Sequence, residues 1–359
     1  MRGPDVSTSA KLASAISAQF TARARWSPLE VLFWLAALAT IWLAPDHHLI
    51  LTEIVIWALL ALSLDLILGY AGIISLGHAA FFGIGAYTAG LLAKHALVSE
   101  PVLALLVSGA AGAAFGFLTS FLVLRGTDLT RLMVTLGVAL LVREIANRAA
   151  WLTGGADGLQ GIGMEPVLGL FRFDLYGHTA YAYSLVVLFV LFVIARRIVG
   201  SPFGLSLQAI KGNPLRASAV GIGQTWRLVG IYTLAAAYAG VAGGLLTQTT
   251  AFTSLESLSF DRSADALLVL IIGGTGHLYG GLIGAVVFRF AQDWISAATP
   301  QYWQFWIGLF LVLIVLVGRD RIGSWVAPVR RLADRVSDWR AWRRPPAVEP
   351  TAPGEGGRP

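Results

Sequence analysis

Apolar residues in this chain fall in long runs separated by short polar intervals. The runs extend approximately from Leu29 to Ala44, Leu49 to Leu68, Ile73 to Ala93, Val102 to Leu124, Leu129 to Ala150, Ala180 to Ile198, Trp226 to Gln248, Ser263 to Ile272, Leu282 to Ala297 and Phe305 to Val317. A bilayer-crossing helix takes about 20 mostly apolar residues. The pattern therefore predicts an all-α polytopic membrane protein with about ten transmembrane helices. A cytoplasmic N-terminal tail is expected over residues 1–28, a transmembrane domain over 29–318 and a basic cytoplasmic C-terminal tail over 319–359. Within the transmembrane domain, 151–178 reads as an ordered external loop and 201–223 as a structured internal one.

Composition supports this reading. Of the 359 residues, 56% are hydrophobic and 13% are charged, with a mean hydropathy of +0.72; soluble domains carry about 25% charged residues. The chain has no cysteine, which excludes disulfides and thiolate metal sites. Its formal charge of +6 rests mostly on arginine, crowded into the two tails and the internal loop. With both termini inside, 20 of the 26 basic residues fall on the cytoplasmic face, the bias expected of an N-in, C-in arrangement. These basic segments flank apolar spans and enclose no folded basic module, so they do not describe a nucleic-acid footprint. The polar stretch through Arg23 and Arg25 lacks a signal-peptide cleavage pattern and reads as a retained tail.

Glycine interrupts two of the runs, at 69–90 (GYAGIISLGHAAFFGIGAYTAG) and 273–285 (GGTGHLYGGLIGA). Irregular backbone at membrane depth is tolerated only where protein or a watery cavity covers it. Both places are thus candidates for a substrate path or for close helix crossings. Each has an upstream carboxylate, Asp65 or Asp265, and a Gly-His pair, Gly77-His78 or Gly276-His277, a spacing open to reading as a decayed repeat. The candidate path residues are Asp65, Gly72, Ser75, Gly77, His78, Phe81, Phe82, Tyr87, Asp265, Gly273, Gly274 and Gly276. Exposed helix N-termini would suit a substrate carboxylate, and carbonyls or a carboxylate its ammonium. The aromatic residues serve equally well as packing.

Ionisable groups within a span cost about 2.5–3.5 kcal/mol on insertion scales. Glu53, Asp65, His78, Arg143, Glu144, Asp265, Arg289 and Asp293 are therefore expected to face the bundle interior or a watery path. Arg143 and Glu144 project about 100° apart on a helix and are expected to pair with other spans. His47, His48, His95 and His178 have no carboxylate or cysteine at metal-ligand spacing.

The internal loop SPFGLSLQAIKGNPLRASAVGIG (201–223) predicts two short amphipathic helices. Leu205, Ala209 and Ile210, then Leu215, Ala219 and Ile222, recur at helical spacing, and Asn213-Pro214 fits an N-cap followed by a first-turn proline. Its small apolar knobs and few cations suit a protein groove better than a lipid surface.

Four ordered segments carry a family resemblance: LSLDLILGYAGIISLGHAAFFGIGAYTAGLL, TLGVALLVREI with LTGGADGLQGI, the loop SPFGLSLQAIKGNPLRASAVGI, and LLVLIIGGTGHLYGGLIGAVV. Together they resemble the branched-chain amino-acid ABC permeases, M-type subunits of the Liv system. The resemblance implies a bacterial inner-membrane subunit that works with an H-type permease, two cytoplasmic ATPases and a periplasmic solute-binding protein. It implies leucine, isoleucine and valine as substrates, although related permeases serve urea, short amides or aromatic acids. In that family the loop is the coupling loop on which an ATPase docks. The carried-over positions are Phe203, Gly204, Leu207, Ile210, Lys211, Asn213, Arg216, Ala217, Ala219, Gly221 and Ile222. Two departures stand out: Ser218 replaces a common glutamate, and GRDRIGSW follows the last run. The residues agree on energy supply. A P-loop needs Gly-Lys before Ser or Thr, whereas Lys11, Lys94 and Lys211 follow Ala, Ala and Ile. The expectation is that ATP and Mg²⁺ are bound by partner subunits and that this chain holds no cofactor. The competing reading is an ion-coupled secondary carrier acting through Asp65 or Asp265.

Overall fold

The computed structural model describes residues 27–174, 176–302, 305–309 and 312. Both tails, and most of the run from Phe305 to Val317, lie outside the described residues. The chain is helical throughout the described part, in the order α1 (Pro28–Leu43), α2 (His48–Asp65, continued by a π turn Leu66–Tyr70), α3 (His78–Lys94), α4 (Pro101–Val123), α5 (Asp128–Arg148), α6 (Ala150–Thr153), α7 (His178–Val199), α8 (Pro202–Gly212), α9 (Pro214–Ala219), α10 (Thr225–Thr250), α11 (Phe260–Gly273) and α12 (Leu278–Ala298). The loop at 151–178 holds a 3-10 turn, Gly155–Asp157, is tied down by an isolated backbone bridge from Leu159 to Thr253, and has a second bridge within it, Val167 to Phe171.

Each apolar run within the described residues contains a helix, but few of those helices have the span and character of a lone transmembrane segment. Four are long and apolar enough to cross a bilayer: Pro45–Tyr70, Pro101–Val123, His178–Val199 and Thr225–Thr250. A fifth candidate is the pair α11 and α12, bent by 110° at a short break. The count by length and composition is thus four to five rather than the expected ten. The difference has physical causes: α1 and α3 have 16 and 17 residues, and α5 carries Asp128, Arg131, Arg143, Glu144 and Arg148. The broken runs also yield shorter helices, because α3 starts only after a non-helical stretch from Gly72 to Gly77.

The centre is built on α2 and α10. Both are buried around most of their circumference, as helices hydrophobic on every side should be. α10 packs against α4, α3 and α2. Where lipid tails surround helices, packing must replace the hydrophobic drive, and small residues let backbones approach. Gly85 of α3 lies against the backbone of Gly240, and Gly112 of α4 against Ala236 and Gly240. On one flank α1 runs antiparallel to α7, held by Tyr181 Oη and Thr40 Oγ1 at 2.7 Å and, toward the other end, by Arg196 donating to Glu30 at 2.6 Å. Glu30 also completes a capping box with Ser27 at the start of α1. Glu53 of α2 pairs with Arg289 of α12. These two pairs give four charges partners inside the bundle, which is how intramembrane ions are tolerated.

A Cβ at Gly240 would stand 2.6 Å from the Ser108 carbonyl oxygen, so Gly240→Val forces α4 and α10 apart. Overpacking of this kind costs about 1–3 kcal/mol. The variant is expected to melt several degrees below wild type in detergent. Gly137→Ala, where a Cβ meets nothing within 4 Å, serves as the control and should leave the melting temperature unchanged or slightly raised.

Candidate functional site

The loop at 201–223 folds as the predicted helical hairpin. Pro202 starts α8, and Asn213 adopts an extended backbone between the helices while its side chain accepts the Arg216 N–H at 3.0 Å. Gly221, at φ +82°, ends the turn, and the Ile222 N–H reaches the Ala217 carbonyl at 3.0 Å. The hairpin has two faces. Leu207, Ile210 and Ala217 are buried against the bundle; Gly204 sits tight on the Val199 backbone, and Phe203 and Ile222 pack at the edge of the core. Asn213, Arg216, Ala219 and Gly221 face outward. Two outward residues absent from the expected set dominate that face: Leu215, 83% exposed, and Val220, 76% exposed. The signal for Leu215 was its phase, about 200° around a helix from Ala217.

Lys211, on the last turn of α8, extends back to the bundle, where its ammonium donates to the Gly69 carbonyl at 2.7 Å. Gly69 lies in the π turn that ends α2. One turn earlier, Asp65 Oδ1 accepts the Gly276 N–H at 2.6 Å from the break between α11 and α12. A side chain at Gly69 would occupy the space of that carboxylate oxygen. Gly72 and Gly276 hold the left-handed backbone, at φ +74° and +78°, that lets each break turn. Gly273 packs on the Gly280 carbonyl and Gly274 follows it into the bend. The hairpin and the two glycine breaks thus meet at one end of the bundle.

The non-helical stretch from Gly72 to Gly77 leads to a second junction. The Leu76 N–H donates to Thr135 Oγ1 at 3.3 Å and the Gly77 N–H to Ser75 Oγ at 3.3 Å. His78, fully buried, places Nε2 2.7 Å from Ser63 Oγ, and Ser63 Oγ lies 2.7 Å from the Leu60 carbonyl. With the hydroxyl proton on that carbonyl, the imidazole is the donor to Ser63. The Ala79 N–H donates to Ser263 Oγ at 2.9 Å, so the N-terminal turns of α3 and α11 touch. Phe81 is packed edge-on against Phe115 and Tyr232, and Phe82 is fully buried. Asp265 is only partly covered. Tyr87 belongs elsewhere, in a small cluster with Leu159, Ile162 and Leu258 beneath the 151–178 loop.

One charged group at this junction escaped the sequence reading. The Arg262 guanidinium lies 5.1 Å from the Trp57 ring centre and 5.3 Å from that of Phe82, within cation–π range, and 3.7 Å from Glu256. It was counted outside the membrane because the apolar run begins at Ser263. Its signal was Ser259, three residues earlier, which caps α11 by accepting the Arg262 N–H at 3.2 Å.

A polar flank completes the picture. α5 buries only Thr135, Ala139 and Ala146, and leaves Arg143, Glu144 and Arg148 exposed beside Met133, Leu140, Leu141 and Ile145. Glu144 pairs with Arg148 on its own helix at 2.7 Å rather than with another span. The reason is that the outer side of α5 has no neighbour among the described residues. The apolar groove of about 660 Å³ between α4 and α7 is lined by residues such as Leu105, Val186 and Val190 and by none of the candidates.

The family profile described as branched-chain amino acid transport system / permease component matches residues 48–317. Among curated relatives, the chain is 28% identical over 289 residues to the high-affinity branched-chain amino acid transport system permease protein LivM of Salmonella typhimurium, covering 74% of this chain and 67% of that protein. It is 26% identical to the guanosine ABC transporter permease protein NupQ of Bacillus subtilis, covering 62% and 73%. It is 28% identical to the ribose import permease protein RbsC of the same organism, covering 44% and 53%. No solved structure matches significantly.

Removing the Ser63 hydroxyl leaves the buried His78 Nε2 without its partner, a loss of about 1–3 kcal/mol. Ser63→Ala is accordingly expected to lower the melting temperature of the purified chain, and Ser63→Thr, which keeps the hydroxyl, to lower it less.

Proposed function

This chain belongs to the branched-chain amino acid transport system permease family, ABC-importer subunits of the bacterial inner membrane, and from that premise we propose that it forms half of an import path for leucine, isoleucine and valine. It is a multi-pass membrane permease and not an enzyme. As an ABC permease it works with ATPase and binding-protein subunits.

The observation that carries the finer reading is the two-faced hairpin. Its inner side is locked to the bundle while Leu215 and Val220 stand in the open, as a dock for a separate subunit requires. The hairpin occupies the segment assigned to the cytoplasm by arginine distribution, with both termini on the same side; the ten crossings this requires count the shorter and more polar helices as spans beside the four to five that qualify by length and composition. Two ATPases bind ATP and Mg²⁺ there, since no P-loop lysine exists in this chain. The H-type permease covers the outer side of α5, whose charges are ill suited to lipid. A periplasmic binding protein delivers the solute to the opposite end.

An amino-acid zwitterion needs groups of both signs. Arg262 and Asp265 supply them at the junction of α3 and α11, beside the apolar wall of Phe82 and Trp57. The branched-chain assignment draws support from relatives so named, which align over more of this chain than the guanosine or ribose permeases do.

Two experiments test this. Purifying the intact importer through a tag on this chain, then titrating the co-purified binding protein, should give saturable binding of leucine, isoleucine and valine; binding of guanosine or ribose alone would overturn the substrate. Leu215→Glu, or a polar linker inserted between Gly212 and Asn213, is expected to abolish ATPase co-purification and uptake while membrane insertion persists. Uphill uptake by this chain alone in vesicles, driven by a proton or sodium gradient, would reject the ATP-driven reading.

A further inference from the structure

Lys211 lies in the segment expected to dock the ATPase, yet its ammonium points away from the hairpin's open face. A chain that leaves a helix strands its last carbonyls, and a cation near the helix C-terminus satisfies and stabilises them. The Gly69 carbonyl is in this position, because α2 ends in a π turn and the backbone leaves helical geometry at Gly72, φ +74°. Lys211 Nζ caps it at 2.7 Å from 142 residues away. The stem of the lysine passes close over Gly72, where a Cβ would stand 3.0 Å from Lys211 Cγ.

The line continues beyond Gly69. Its missing side chain leaves room for the Asp65 carboxylate, which holds the Gly276 N–H at 2.6 Å. A Cβ on Gly276 would in turn lie 3.4 Å from the Gly69 carbonyl oxygen, so the two breaks are also in direct backbone proximity. A displacement of α8 therefore has a continuous route of short hydrogen bonds to the break after α2 and to the break between α11 and α12. The ends of the hairpin are held by Ser201 Oγ donating to the Ile198 carbonyl at 2.6 Å and by Gln224 donating to the Pro214 carbonyl at 2.5 Å; the Lys211 bond is the one described here that reaches a glycine break.

We infer that Lys211 is the pin through which movement of the hairpin is transmitted to both glycine breaks: a positioning residue acting through Gly69, Asp65 and Gly276, and not an ATPase contact. This rests on the importer reading above and names the coupling element within it.

The test uses the complete importer reconstituted in vesicles, with Lys211→Met and Lys211→Arg. Lys211→Met should retain ATPase co-purification but move roughly tenfold less leucine per ATP hydrolysed, the size expected when a coupling contact is lost. Lys211→Arg, whose guanidinium can still reach a carbonyl, should recover much of the ratio. Wild-type transport per ATP in Lys211→Met, or loss of the ATPase from that variant, overturns the pin and leaves the importer reading standing; absence of ATPase from the wild-type complex defeats the importer reading itself. A second measurement keeps Lys211 intact. Because the chain has no native cysteine, spin labels at Gln208→Cys and His277→Cys can report whether hairpin and break move together. Their separation should change by less than about 2 Å between nucleotide-free and ATP-trapped states, while that between His277→Cys and Lys94→Cys changes more. Sliding of the hairpin past the break overturns the proposal.

Discussion

In hydrocarbon a backbone N–H or C=O that leaves a helix must find its partner within the protein, and this chain leaves helical geometry at two places inside its bundle. That constraint determines which residues surround the breaks. The carbonyl stranded at Gly69 is met by a lysine ammonium, and the amide stranded at Gly276 by the Asp65 carboxylate. Further on, the Leu76 N–H is met by Thr135 and the Ala79 N–H by Ser263. Four polar side chains from four different helices thus serve two interruptions. An interruption satisfied in this way is stable in one geometry and open to rearrangement into another, because a hydrogen bond can exchange partners where a packed apolar contact must be broken outright.

The rest of the bundle supplies rigidity around these places. The glycine crossings of α3, α4 and α10 bring backbones together, and the Glu30–Arg196 and Glu53–Arg289 pairs join helices distant in sequence. The contrast is functional in kind. Close crossings resist deformation, while the hairpin, the π turn and the 110° bend lie in series along one edge of the same bundle. If the hairpin is the proposed dock, a motor acting on it would meet a compliant line held inside a stiff frame.

Much of this was legible in the linear chain. The apolar runs located the helices, the Asn213-Pro214 step located the hairpin's turn, and the glycine clusters marked both breaks. Direction was harder to read. Lys211 is exposed among outward residues, and only the fold brings its ammonium to a backbone carbonyl; nothing in its neighbourhood names Gly69, 142 positions earlier, as its acceptor. Arg262 fell outside the run because a run-based boundary stops at the last charge; the fold sets its guanidinium against Trp57 and Phe82 from α2 and α3. Arg143 and Glu144 were expected to find partners across the bundle, but helical phase alone does not reveal which side of a helix lacks neighbours. Nor does a glycine run report its angle: 110° is a property of how Gly273 meets Gly280, not of composition.

The open side of the hairpin carries one more implication. Leu215 and Val220 are bare in the isolated chain, so, if the hairpin is the proposed dock, every copy made without its complement offers water a greasy nub on a well-ordered stem. Such orphans would attract chaperones and proteases. Balanced synthesis of the subunits is then a matter of cellular hygiene as much as of economy, and surplus dosage of this polypeptide alone should be a burden to its host.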